Sequence, residues 1–211
     1  MNRIILGAVF LGMIMLLGGG AFIFSGAYEI GADVPHWNLT SKILEVARDR
    51  AIMVRAREIK VPDLTGDRLI LKGAGQYAAM CVDCHLAPGR RDSEIRSGLY
   101  PQPPNLSRVK IDPQRTFWVT KHGLKMSGMP AWGLGHDDGT IWSIVAFVQK
   151  LPDMSPQKYK DIVAKAPPDE QMESMDPDRA GHKHQHVNEP HQHGAEPGSS
   201  KDAQRPPDHS R

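Results

Sequence analysis

The stretch Cys81-Val82-Asp83-Cys84-His85 decides how this chain of 211 residues folds. Cys-x-x-Cys-His is the attachment signature of a covalent haem: the two thiols add to the vinyl groups, and the next residue binds the iron. On one turn of helix the two cysteines lie on the same face, and the imidazole of His85 can swing beneath the macrocycle. The sequence therefore predicts one haem c, held covalently through Cys81 and Cys84, with His85 as an iron ligand.

Two other sites use a Cys-x-x-Cys pair: half of a zinc site and a redox-active dithiol. Cys81 and Cys84 are the only 2 cysteines in the chain. A zinc site would need further soft ligands nearby, and a thioredoxin-like dithiol would need a βαβ pattern that the sequence lacks. The isolation of the pair favours haem.

An apolar segment near the N-terminus indicates export. Residues 4–24 contain no charged side chain and at helical rise cover roughly 30 Å, the thickness of a bilayer core. Residues 25–27 also offer a signal-peptide cleavage site, but the apolar core of a signal usually spans about 7–15 residues. We predict an uncleaved transmembrane anchor over 1–27, with a signal peptide as the alternative. Arg3 precedes the span, which puts the N-terminus in the cytoplasm and the rest outside.

Composition divides the remainder into three parts. Residues 28–60 are predicted to be a linker and an amphipathic helix that begins at Thr40 or Ser41 and packs on the next domain or docks a membrane partner. Its predicted apolar face is Ile43, Val46, Ala47, Ala51 and Val54. Residues 61–165 are predicted to form an all-α haem domain. Residues 166–211, with 7 prolines and no aromatic residue, are predicted to be disordered because they cannot bury enough apolar surface.

Two helices of the haem domain have end signals. One is predicted to start at Pro113 with Asp112 as its cap. The other is predicted from Thr140 to Leu151, capped by Asp138 or Thr140 and stopped by Pro152. Strand-like alternation is missing from the whole domain.

The segment from Lys121 to Trp132 offers three candidates for the second iron ligand. Pro130 biases Met129 toward an extended backbone, and Gly128 allows close approach to a haem, which favours Met129. Met126 would need a different loop path, and His122 would give a bis-histidine iron. An open sixth position is a further alternative.

Residues 62–151 resemble the small bacterial class I c-type cytochromes, in their membrane-anchored monohaem form. The matching positions outside the haem motif are Gly73, Tyr77, Pro104-Asn105-Leu106, Gly128-Met129-Pro130-Ala131, Ile144 to Val148, and Ile59 to Leu64 before the domain. The resemblance implies that the helix carrying Gly73 and Tyr77 crosses the last helix at Phe147. It also implies that the Pro104 carbonyl accepts the Nδ1 hydrogen of His85, and it supports Met129 as the second ligand.

The resemblance implies an all-α class I cytochrome c fold around one covalent haem. It further implies an electron carrier of the bacterial inner membrane, single-pass, with the haem domain on the periplasmic side. Its partners would be membrane or periplasmic redox proteins. We expect a carrier rather than an enzyme, since six-coordinate iron has no open position. A haem-bearing subunit of a dehydrogenase or oxidase complex is the alternative.

The charged surface and the tail suggest further partners. Lys121 and Lys125 flank the methionine loop, where a basic rim could steer acidic partners, although solvated surface charge explains them equally well. An exported domain without a basic run is a poor candidate for nucleic-acid binding. The tail contains closely spaced histidines whose spacing suits a divalent metal: His182, His184, His186, His191 and His193. A metal-handling protein is therefore a further alternative for the function. The competing interpretation is that the histidines only keep the tail soluble.

Overall fold

The structure is a computed structural model that describes residues 2–167, and that part of the chain is helical and has no strand. The helices are α1 (Asn2–Phe24), α2 (Asn38–Ala56), α3 (Asp67–Met80), α4 (Val82–His85), α5 (Glu94–Ser97), α6 (Pro113–His122), α7 (Asp138–Val148) and α8 (Pro156–Lys165), with short 3-10 helices at Trp132–Leu134 and Leu151–Asp153. The all-α prediction is confirmed for these residues. The predicted disorder from residue 168 onward, and the tail histidines His182 to His193, lie outside the described residues.

Helix α1 is apolar and solvent-exposed along its length, and by length and composition it could cross a membrane. A signal sequence passes the same test. An aromatic cluster follows the end of the helix. The ring of Phe22 lies 6.0 Å from that of Trp37, and Tyr28 packs edge-on against the same indole at 5.1 Å. Tyrosine and tryptophan are enriched at membrane–water interfaces, so the cluster suits the point where a membrane helix leaves the bilayer.

The start of α2 differs from the prediction. The helix begins at Asn38, and Trp37 precedes it without a side-chain cap. Thr40 and Ser41 therefore lie inside the helix rather than at its N-cap. The Ser41 hydroxyl lies 3.2 Å from the phenol oxygen of Tyr100, so this side chain contacts another segment.

The predicted apolar face of α2 was also wrong. Ile43 and Val46 are 58% and 63% exposed, whereas Ile52 and Ala56 are buried. The helix carries apolar residues on two sides, so spacing alone could not say which side meets the rest of the domain. Ile52 and Ala56, one turn apart, face inward.

Helices α3 and α7 cross at the centre of the domain. A Cβ atom on Gly73 would overlap the carbonyl oxygen of Ser143 and stand 2.9 Å from the Cβ of Phe147. One turn later, Tyr77 packs on Phe147 with ring centroids 5.5 Å apart, and both side chains are fully buried. The predicted crossing is confirmed: glycine lets the two backbones touch, and the aromatic pair fills the space beside them.

Helices α6 and α8 pack around the crossing of α3 and α7. Asp112 caps α6 as predicted, since its carboxylate accepts from the backbone N–H of Arg115 at 3.0 Å. In α6, Phe117 stacks on Trp142 of α7 at 4.1 Å. Helix α8, which was not predicted, packs against α3 and places Tyr159 within 6.2 Å of Phe147.

The ends of α7 differ from the prediction by a few residues. Its cap is Asp137, whose carboxylate accepts from the Thr140 N–H at 2.7 Å. Asp138 was a predicted cap, but its carboxylate pairs with Lys121 at 2.7 Å instead. Three cap-forming residues stand close together here, and the pairing with Lys121 could not be read from local sequence. The helix ends at Val148, and Pro152 lies in the following 3-10 helix.

Candidate haem site

A cavity of about 600 Å³ lies between the helices and two loops of the domain. Its walls come from α2, α3, α4, α6 and α7, from the proline-rich loop at 101–104, and from the loop at 124–132. Cofactor pockets typically enclose roughly 300–1,000 Å³ and have mostly apolar walls. The cavity is therefore large enough for a cofactor, and the chemistry of its wall indicates which one.

The Cys-x-x-Cys-His turn forms one part of this wall. Cys81 follows the last residue of α3, and the next turn closes with the His85 N–H donating to the Cys81 carbonyl at 2.8 Å. Cys81, Cys84 and His85 all line the cavity, and both thiols are free. Burial, with a smaller contribution from Cys84, raises the pKa of Cys81 to about 12. The two thiols face the space in which a covalently attached group would lie.

The loop after this turn orients the imidazole. The Nδ1 atom of His85 lies 3.0 Å from the carbonyl oxygen of Pro104, the contact that the resemblance implies. A carbonyl can only accept, so Nδ1 carries the hydrogen and Nε2 keeps its lone pair. Burial lowers the pKa of His85, although the hydrogen bond to Pro104 partly opposes this, and a neutral ring suits an iron ligand. Arg96 donates from Nη2 to the preceding carbonyl, that of Pro103, at 3.0 Å.

The methionine loop places the three candidate second ligands differently. Met129 lines the cavity, whereas Met126 and His122 do not. Met126 has a left-handed backbone (φ 55°) and is 100% exposed. His122 packs on the ring of Trp118 at 5.0 Å. Of the three, Met129 alone shares a cavity with His85.

Backbone contacts hold Met129 in place. Its carbonyl accepts from the N–H of Leu124 at 3.1 Å, and its N–H donates to the hydroxyl of Ser127 at 3.2 Å. Gly123 makes the turn possible, because its φ is +65° and a Cβ there would stand 2.8 Å from the Met129 carbonyl oxygen. The loop therefore fixes the backbone that carries the thioether.

Several cavity residues were not anticipated from the sequence. Arg48 and Ile52 of α2 and Arg115 of α6 line the wall. Nothing in the sequence distinguished Arg48 from the other arginines in and just after this helix, which are Arg50, Arg55 and Arg57. The predicted basic rim is only partly free, because Lys121 pairs with Asp138.

The sequence model of the family described as cytochrome c oxidase, cbb3-type, subunit III matches residues 68–148. This segment is a c-type cytochrome domain. It runs from the first turn of α3 to the end of α7 and includes both the attachment turn and the methionine loop. No curated protein and no solved structure matches the chain.

A c-type cytochrome carries a covalent haem c, and Cys81 and Cys84 have the spacing of its attachment motif. The cavity of the cytochrome domain fits this group in three respects. It presents the two thiols, a neutral imidazole with a fixed tautomer, and a thioether from a separate loop. Within residues 2–167, no group of three or more His, Cys, Asp or Glu side chains could hold a separate metal ion.

Proposed function

We propose that this chain is a monohaem electron carrier, anchored in the bacterial inner membrane, whose haem iron is bound by His85 and Met129 on the periplasmic side. The observation that carries the proposal is that Cys81, Cys84 and His85 of the attachment turn and Met129 of a separate loop line the same cavity. When bound, the haem supplies a one-electron iron centre. With His85 and Met129 both bound to it, the iron would have no open position for substrate, so the proposed role is electron transfer rather than catalysis.

Each residue has a distinct proposed role. Cys81 and Cys84 hold the haem, and the Pro104 carbonyl keeps the His85 hydrogen on Nδ1 so that Nε2 is free to bind. The Met129 thioether is a neutral, soft ligand that favours the ferrous state and raises the reduction potential. These roles together suit a carrier that accepts and releases one electron without changing its ligands.

A paired substitution tests the ligand assignment. The ferric wild-type protein should show the weak far-red sulfur-to-iron absorption band, and Met129→Ala should abolish it. Met126→Ala is the matched control and should keep the band, because Met126 lies off the cavity. Loss of the band in Met126→Ala alone would contradict the assignment. A wild-type protein without the band that takes up carbon monoxide would have an open site, and the carrier proposal would fail.

A second candidate function is a haem-bearing subunit of a membrane oxidase, and the description of the matching family favours it. A dehydrogenase complex would use such a subunit in the same way. Extraction in a mild detergent, followed by size-exclusion chromatography, separates the two roles. A stable complex with other chains in fixed stoichiometry supports the subunit role, whereas a single chain supports the freely acting carrier.

The anchor has its own test. We propose that α1 stays attached and spans the membrane, since it is apolar and exposed throughout. Intact-mass measurement of the haem-loaded protein from membranes should give a chain that retains α1. A chain that begins after Ala27, recovered without detergent, would show a cleaved signal sequence instead.

A further inference from the structure

Helix α2 lies before the cytochrome match, which begins at residue 68, yet it forms part of the cavity wall. Arg48 and Ile52, one turn apart, both line the cavity. The side chain of Ile52 is 6% exposed, and that of Arg48 is 38% exposed. An apolar residue deep in the wall and a cation nearer the surface are what a group with an apolar body and an anionic edge requires.

Both ends of α2 are tied to the cytochrome domain. Near the start, the phenol oxygen of Tyr100 lies 3.2 Å from the His36 N–H and 3.2 Å from the Ser41 hydroxyl. After the end, the Gln114 amide of α6 donates to the Ile59 carbonyl at 2.6 Å. The helix is therefore held across the cavity, from the proline-rich loop on one side to α6 on the other.

The charges of the cavity wall do not balance. Three cationic side chains line the cavity, those of Arg48, Lys110 and Arg115. Among the residues that the structure describes, Asp112 is the one acidic side chain that lines it. Asp112 is already the cap of α6, and Lys110 pairs with Asp153 outside the cavity at 3.0 Å.

Two guanidinium groups therefore remain for an anion. Within residues 2–167, the hydrogen bonding of Arg48 uses only Nε, toward Asp49 at 2.9 Å, and the side chain of Arg115 has no hydrogen bond or ion pair. The Nη groups of Arg48 and the whole fork of Arg115 are available. A guanidinium fork matches a carboxylate with two parallel hydrogen bonds.

We infer that Arg48 of α2 and Arg115 of α6 bind the haem propionate carboxylates, so that α2 is part of the haem site. The inference rests on the proposed function in one respect, that a haem fills this cavity. Lys110 is less suited because its side chain is 63% exposed and its single ammonium is already paired with Asp153, whereas Arg48 keeps its Nη donors beyond its own pair with Asp49. One of the two arginines, Arg48, thus comes from outside the segment that the cytochrome family model covers, whereas Arg115 lies within it.

The test compares Arg48→Met and Arg115→Met with Arg50→Met in the full, haem-loaded chain. Arg50 is exposed and lies on another face of the same helix, so its substitution makes the same change of charge away from the cavity. Removing a cation next to the haem favours the ferric state, so the midpoint potential at pH 7 should fall in the two cavity variants and not in Arg50→Met. The midpoint potential of Arg48→Lys should lie between those of Arg48→Met and the wild type, since lysine keeps the charge.

A second measurement reports on the propionates themselves. In the infrared difference spectrum between oxidised and reduced protein, the carboxylate bands of the haem should shift in Arg48→Met and Arg115→Met. Potentials and bands indistinguishable from those of Arg50→Met would overturn the inference. Failure of the proposed function gives a different result, namely a wild-type chain without covalent haem or without the sulfur-to-iron band. If Arg48→Met does not accumulate, Arg48→Lys and Arg115→Lys carry the infrared comparison, and unchanged bands in both would overturn the inference.

Discussion

The backbone of Gly73 in α3 touches the carbonyl of Ser143 in α7, so that no side chain fits between the two helices. Gly73→Ala should therefore push the helices apart, because the Cβ would meet backbone rather than a flexible side-chain end. Overpacking of this kind costs about 1–3 kcal/mol, and we expect the upper part of that range. Guanidinium unfolding of the haem-loaded protein measures it.

Gly135→Ala is the control for this substitution. A Cβ on Gly135 meets nothing within 4 Å, and the residue has an ordinary φ of −120°. Its free energy of unfolding should stay within about 0.5 kcal/mol of the wild type. Equal losses in both variants would mean that the close contact between α3 and α7 does not limit stability.

The hydroxyl of Tyr77 donates to the carbonyl of Leu86 at 2.6 Å and is fully buried. Leu86 follows His85 directly and has a left-handed backbone, with φ at 61°. Tyr77→Phe leaves that buried carbonyl without its donor, and we expect a loss of about 1–3 kcal/mol in the free energy of unfolding. Tyr159→Phe makes the same chemical change at a half-buried position, where the hydroxyl has no hydrogen bond within residues 2–167, so it should cost much less. A similar loss in both variants would contradict the role of the Tyr77 hydrogen bond.

The same tyrosine predicts how stability depends on alkaline pH. Burial raises the pKa of Tyr77 above its ordinary value. In the unfolded chain the phenol has its ordinary pKa of about 10. The unfolded state therefore releases this proton first, and the stability that Tyr77 contributes is present below pH 10 and is lost as the pH rises further. Unfolding experiments from pH 8 to 11 should show a shallower loss in Tyr77→Phe than in the wild type, and parallel curves would rule the explanation out.

The sequence was most informative where one residue type was required by chemistry or by close contact. The cysteines and His85 were identifiable because covalent attachment needs that spacing, and Gly73 because two backbones meet there. Gly128 and Pro130 favoured Met129 over Met126, but the sequence left Met126 open as an alternative, since both lie in the same glycine- and proline-rich loop. Their separation depends on the left-handed backbone at Met126, which turns its side chain to solvent.

Helix α2 shows why the rest was not predictable. Its apolar residues occur on two sides, and the side that packs is decided by Tyr100 and Gln114, which are distant in sequence. The same tertiary contacts bring Arg48 to the cavity, although the local pattern is that of a solvated basic face. Local periodicity predicts that a helix forms, whereas the partner surface determines which side of it becomes functional.

Arg96 connects the proline-rich loop to the proposed iron ligand. It donates to the Pro103 carbonyl at 3.0 Å, one residue before the carbonyl that faces His85, and its side chain is only 15% exposed. Arg96→Lys keeps the charge but removes the planar fork, so the Pro104 carbonyl should be held less firmly. A weaker hydrogen bond to Nδ1 makes the imidazole a poorer electron donor to iron, and the midpoint potential should therefore rise. Lysine is chosen because it keeps the positive charge, whose loss would itself lower the potential.

Arg91→Lys, at an exposed position, is the matched control and should leave the potential unchanged. If Arg96→Lys also leaves it unchanged, Arg96 stabilises the loop without tuning the haem site.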